Sequence, residues 1–162
     1  MEIGKNAGLG PDITTFLWRL LHRLLPTQDR VHRITRNQTS SNCQLCKEEV
    51  VENQQHAFFS CSFNANAGNL LLRGLSNLLP TITSNKILLL DLDIEAADDE
   101  HPVVWLIGHF LSNIWASRIS KKAVRLYTIR ADLEARASLL SETRFNNYGL
   151  KIKDLINLCF TN

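Results

Sequence analysis

The chain has 162 residues, 44% of them apolar, and a formal net charge of +2. That length allows a domain that removes roughly 70% of its unfolded surface from water, while four cysteines are too few for a disulfide framework on such a chain. No charged start leads into an apolar core and cleavage site, and the longest apolar run, Val103 to Trp115, falls well short of the roughly 20 residues a bilayer span needs. These features exclude a secreted disulfide scaffold and a membrane-spanning chain, and they point to an intracellular protein, nuclear or cytoplasmic, with reduced thiols.

The first predicted element is the strongest. Ile13, Phe16, Leu17, Leu20, Leu21, Leu24 and Leu25 recur at helical spacing, with Asp12 or Thr14 as N-cap and Pro26 as the stop. Trp18, beside this broad stripe, reads as core. Thr27 opens a second short helix to about Ile34, and RNQTSSN follows as a polar loop. The segment from 19 to 36 holds Arg19, Arg23, Arg30, Arg33 and Arg36 against one acid, Asp29.

Next comes CQLCKEEVVENQQHAFFSC, which places Cys43, Cys46, His56 and Cys61 within one stretch. Cys43 and Cys46 present two sulfurs from a tight turn, and zinc takes four such ligands tetrahedrally. His56 and Cys61 lie five apart, which on a regular helix points them about 140° away from each other. They share a metal only if the helix widens or ends between them, and Glu52 and Asn53 offer a helix start just before. Three thiolates and a zinc ion carry a net negative charge, for which Lys47 is the expected counter-charge. Cys159 is expected to be buried, and it is the substitute ligand if His56 is not one.

A third helix is expected from about Asn66 to Leu79, ending at Pro80, with TITSNK as an internal boundary. KILLLDLDIE alternates at strand period and is left as extended chain or loop. Its acidic spacing suggests a calcium loop, but Ala96 and Pro102 occupy the positions that need glycine and a bidentate glutamate. Val103, Leu106, Ile107, Phe110, Leu111 and Ile114 form another inward stripe, and Trp105, Gly108, His109, Ser112 and Trp115 form a second, half-apolar one. Two stripes imply a central helix, with Trp105 and Trp115 buried, or else a docking surface. Ala123 to Phe145 reads as a long final helix with Leu126, Ile129, Leu133 and Leu140 inward. The fold class is all-α, a helical domain with an irregular zinc-binding knuckle. Its divisions are 1–80 for the first helices and knuckle, 81–102 as an acidic linker, and 103–162 for the C-terminal helices packing on the first part.

FLWRLLHRLLPTQDRVHRI, from Phe16 to Ile34, followed by CQLC, a Glu-rich spacer and HAFFSC, resembles the zinc-binding domain that lies after the reverse transcriptase domain in LINE-type (non-LTR) retrotransposons. The resemblance covers residues 16 to 62, and VVWLIGHFLSNIWASR is similar to a tryptophan-bearing helix that often follows. It implies Cys43, Cys46, His56 and Cys61 as ligands of Zn2+, and binding of RNA or DNA while the element copies itself. No Tyr-x-Asp-Asp tetrapeptide is present to hold the two metal ions of phosphoryl transfer. The expected function is therefore a non-catalytic nucleic-acid-binding accessory module, holding RNA template or target DNA. Arg19, Arg23, Arg30, Arg33, Arg36 and Lys47 would lie on phosphates, a reverse transcriptase domain is a further partner, and no small-molecule substrate is expected. The alternatives are a zinc-stabilised helical protein-interaction module, with Val103 to Trp115 as its docking helix, or a domesticated retroelement fragment.

Overall fold

The computed structural model describes residues 8–92, 94, 97–141 and 146–161. Among them the regular elements are helical. The exception is an isolated bridge between Asn42 and Val51.

Helix α1 (Pro11–Leu21) starts after Gly10, with Pro11 in its first turn and Asp12 beside it. Proline suits that position because its missing N–H has no partner there anyway, and the carboxylate favours the positive helix end. Ile13, Phe16, Leu17 and Leu20 are buried, as the stripe predicts. The helix stops earlier than expected. Arg23 adopts φ 53°, and the N–H groups of Arg23 and Leu24 close back on the carbonyls of Leu20 and Arg19. This left-handed cap satisfies the helix's last carbonyls, so Leu25 is buried from outside the helix. Helix α2 (Gln28–Ile34) begins after an extended Thr27 and buries none of its residues.

Helix α3 (Ala65–Ser76) buries Leu70, Leu71 and Leu75. Within KILLLDLDIE the structure departs from the expectation of extended chain, because Ser84–Leu89 forms a short helix, α4. The Thr83 side chain accepts a hydrogen bond from the Lys86 N–H, and this cap together with burial of Ile87 and Leu88 on the core overrides the period-two pattern. Helix α5 (Ala97–Ser120) starts before Pro102 and continues through it. Within 81–102 the described residues thus include the helix Ser84–Leu89 and the start of α5. The helix expected over Ala123 to Phe145 is α6 (Leu126–Ser141), and it is not the last, because a further helix, α7 (Asn146–Phe160), follows it.

Helix α5 is the centre of the molecule, in contact with α1, α3, α6 and α7. Residues 102 to 111 are buried all the way round it, which explains why its sequence shows two apolar faces. Trp105 is 1% exposed and Trp115 9%, so both belong to the core. One contiguous apolar cluster runs from Leu9 to Cys159 and joins every helix except the surface helix α2. No helix among the described residues is long and apolar enough to cross a membrane.

Candidate metal centre

The knuckle is built from short local devices. The N–H of Cys43 donates to the carbonyl of Val50, and that of Glu52 to Ser41, at 2.8 and 2.9 Å. These bonds fold residues 43–50 into a closed loop that turns Cys43 and Cys46 inward. Asn53 then caps the next element, its Oδ1 accepting from the N–H of His56 at 2.8 Å.

That element is a π-helical turn, His56–Ser60, closed by the Cys61 N–H on the His56 carbonyl at 2.8 Å. The widened i to i+5 turn brings a pair that a regular helix would hold apart to one side. The helix both widens and ends here, since Cys61 is already extended.

The four donor atoms of Cys43, Cys46, His56 and Cys61 lie within 4.8 Å of one another. The Cys43 and Cys61 sulfurs are 3.7 Å apart, and Cys46 Sγ lies 3.4 Å from His56 Nε2. A tetrahedral zinc with Zn–S near 2.3 Å and Zn–N near 2.0–2.1 Å needs edges of about 3.8 and 3.6 Å. Separations of this size are too long for a disulfide and correct for a shared ion. Burial, and secondarily the charge of Arg118, lowers the pKa of His56, which keeps the imidazole in the neutral form that binds metal. Burial pushes the Cys43 thiol up to about 11, so its thiolate depends on a nearby cation, and bound zinc deprotonates such a ligand outright.

Lys47, beside Cys46 in the chain, is exposed, and a buried counter-charge reaches the sulfurs from elsewhere. The role falls to Arg118, near the C-terminus of α5, which is 5% exposed. Its Nη2 donates to Cys43 Sγ at 3.6 Å and also to Glu52 Oε2, while Nη1 donates to the Ala57 carbonyl at 3.4 Å. Glu52, equally buried, holds the guanidinium in place and accepts from the Gln28 N–H. The centre is thus tied to α2 and α5 at once. Arg118 was missed in the sequence, yet it carried a signal: it continues the inward row Ile107, Leu111 and Ile114, and a charge on a buried row needs a partner.

Cys159 lies outside the cluster. It is buried against α3, where Gly74 leaves room for it.

The residues expected on phosphates are placed as follows. Arg19, Arg23, Arg33 and Arg36 are exposed and Arg30 is half-buried. Arg33 pairs with Asp29 at 2.9 Å, and Arg30 donates to the Arg23 carbonyl. Arg19, Arg23, Arg30 and Arg36 have no carboxylate partner among the described residues. Trp18 corrects the sequence expectation. It is 52% exposed because α1 buries the row Ile13, Phe16, Leu17 and Leu20, and its ring rests instead on His22, centroids 4.8 Å apart.

An all-helical domain held at one end by a Cys3His zinc centre is the class that this fold and site define. Residues 5–67 match a family model described as zinc-binding in reverse transcriptase, which supports a zinc-binding, reverse-transcriptase-associated domain over that segment. Arg118 and helices α4 to α7 lie beyond the match. No curated protein and no solved structure matches the chain.

Proposed function

We propose that this chain is a non-catalytic nucleic-acid-binding accessory module of a LINE-type retroelement polymerase, or of a gene derived from one, in which zinc shapes the surface and arginines hold the strand. The observation that carries this is the exposed Trp18–His22 pair flanked by Arg19 and Arg23, two guanidiniums without a carboxylate partner. Base stacking on an aromatic platform beside basic groups is how single strands are gripped without sequence preference, and Trp18 with His22, Arg19 and Arg23 supplies such a platform. Four protein donors complete a tetrahedral shell, so the zinc is structural in this reading. RNA template or target DNA is the ligand, a reverse transcriptase domain the neighbour, and a reducing compartment, nuclear or cytoplasmic, the setting.

The protein-interaction reading needed Trp105 and Trp115 side by side on the surface, and both are buried. The test is an anisotropy titration of the zinc-loaded chain on labelled RNA and DNA across a salt series. Affinity should fall linearly with log salt, Arg19→Gln should reduce the slope by about one unit, and Trp18→Ala should weaken binding with little change in slope. A chain that binds neither polymer at low salt, or binds with no salt dependence, ends the proposal.

A further inference from the structure

A groove of about 340 Å³ opens between α2, the turn before the π-helix and α4. Three arginines and one aspartate line it, Arg23, Arg30, Arg33 and Asp29. Asp29 is taken up by Arg33, which leaves the guanidiniums of Arg23 and Arg30 without a carboxylate among the described residues, Arg30 donating to the Arg23 carbonyl. Opposite them stand carboxamides. Gln54 donates its Nε2 to the Leu20 carbonyl at 2.9 Å, so its Oε1 is left as an acceptor. Asn85 is exposed with no partner among the described residues. At the rim Leu89 is 53% exposed, while its neighbours Ile87 and Leu88 are buried.

Cations, amide edges and an apolar flank in one recess are the three chemistries of a nucleotide: phosphate, base edge and base face. Size decides the form of the ligand. A recess at the small end of ligand pockets, which run from roughly 300 to 1,000 Å³, cannot accept a duplex, whose grooves are read by elements that protrude into them. It can accept a nucleotide that is already unstacked, as single strands offer.

We infer that this groove seats one unpaired nucleotide of the bound strand, with its phosphate on Arg23 and Arg30, its base edge on Gln54 and Asn85, and its face against Leu89. The inference rests on the nucleic-acid reading above and adds where the strand is read and in what form. His22, on which the Trp18 ring rests, immediately precedes the groove residue Arg23 in the chain.

The experiment uses the full zinc-loaded chain and a short labelled single-stranded oligonucleotide carrying a fluorescent adenine analogue, with a duplex of the same sequence as competitor. Arg30→Gln and Asn85→Ala alter the groove, and Arg36→Gln, outside it, is the control; zinc content and melting are checked for each. The groove variants should weaken single-strand binding about 5- to 50-fold, more than Arg36→Gln does. Asn85→Ala should do so without changing the salt slope and should abolish the change in analogue fluorescence, and the duplex should compete poorly. If the wild-type chain binds but the groove variants weaken it no more than Arg36→Gln, or the duplex competes as well as the single strand, the groove inference is overturned and the nucleic-acid reading stands. If the wild-type chain binds neither, both fall together.

Discussion

Arg118 shows how much can hang on one side chain. Its guanidinium is shared between a metal-ligand sulfur and Glu52 with almost no access to water, and removing one partner of such a pair leaves the other buried and uncompensated, which costs about 3–5 kcal/mol. Arg118→Met should lower unfolding free energy by about that amount and weaken zinc retention against a chelator. Pairing it with Glu52→Gln should recover part of the loss in a double-mutant cycle; strictly additive effects would show that the two groups do not act together. A second buried residue, His109, packs its ring 4.2 Å from that of Trp105. Burial first, then the charge of Arg136, holds its pKa down to about 4, with Asp132 opposing. The unfolded chain takes up this proton below about 6.5 and the folded chain only below about 4, so stability is full above the first value and drains as pH falls through the window, by about 3 kcal/mol in all. Melting curves of the wild type and His109→Gln between pH 7 and pH 4 should converge by that amount in the variant's favour. Parallel pH profiles would contradict it, and acid loss of zinc, common to both proteins, cancels in the comparison.

Among the elements, α3 and α7 cross so closely that only glycine fits at the contact. A Cβ on Gly74 would stand 2.4 Å from Cys159 Sγ and 2.6 Å from its Cα. Gly74→Ala should therefore destabilise by about 1–3 kcal/mol, as overpacking of a tight core does, although alanine is the better helix former. Adding Cys159→Ala should not rescue it, because the backbone clash remains. Thermal melts of the single and double variants check this, and a neutral or stabilised Gly74→Ala would mean that the two helices move apart freely. The same crossing accounts for Cys159, whose thiol burial pushes up to about 12: it is a small apolar side chain in a helix contact, and no thiolate. Helix ends show the opposite economy of glycine. α1 and α2 close on Arg23 and Arg36, both at positive φ, where a non-glycine residue carries a cost of about 1–2 kcal/mol. Arg23 also lines the groove.

Across the whole molecule, Glu52 and Arg118 link the zinc centre to α2 and α5, so the centre and the helical core are expected to unfold together. The knuckle by itself has a single bridge, and structural zinc contributes on the order of 10 kcal/mol or more in small fingers. One zinc per chain should be found by elemental analysis. Its chelation should unfold at least residues 37–64 and, through the freed Arg118, loosen the end of α5. Hydrogen exchange with and without chelator measures this, and protection lost only within the knuckle would show that the coupling through Arg118 is weak.

The local parts of this architecture were legible residue by residue. Metal ligands must come close in space, and all four lie close in the chain as well, within the stretch from Cys43 to Cys61, so donor chemistry and spacing were enough to select them. Periodicity was likewise enough for α1, and the thirteen-residue apolar run of α5 announced its central place, because a helix surrounded by others has no polar face to show. What required three dimensions were the matters settled by distant segments. Spacing left open whether the helix at His56 widens or ends, and the Asn53 cap together with the bond from Cys61 to His56 resolved it. A buried counter-charge came from Arg118, 75 residues beyond Cys43, because charge compensation depends on desolvation and distance, neither of which follows chain order. Trp18 looked like core by its neighbours and is surface by its angle. The groove joins residues 23 to 33, 53 to 55 and 85 to 89, and no local pattern encodes such a meeting, since it exists only once packing has brought α2 and α4 to opposite walls.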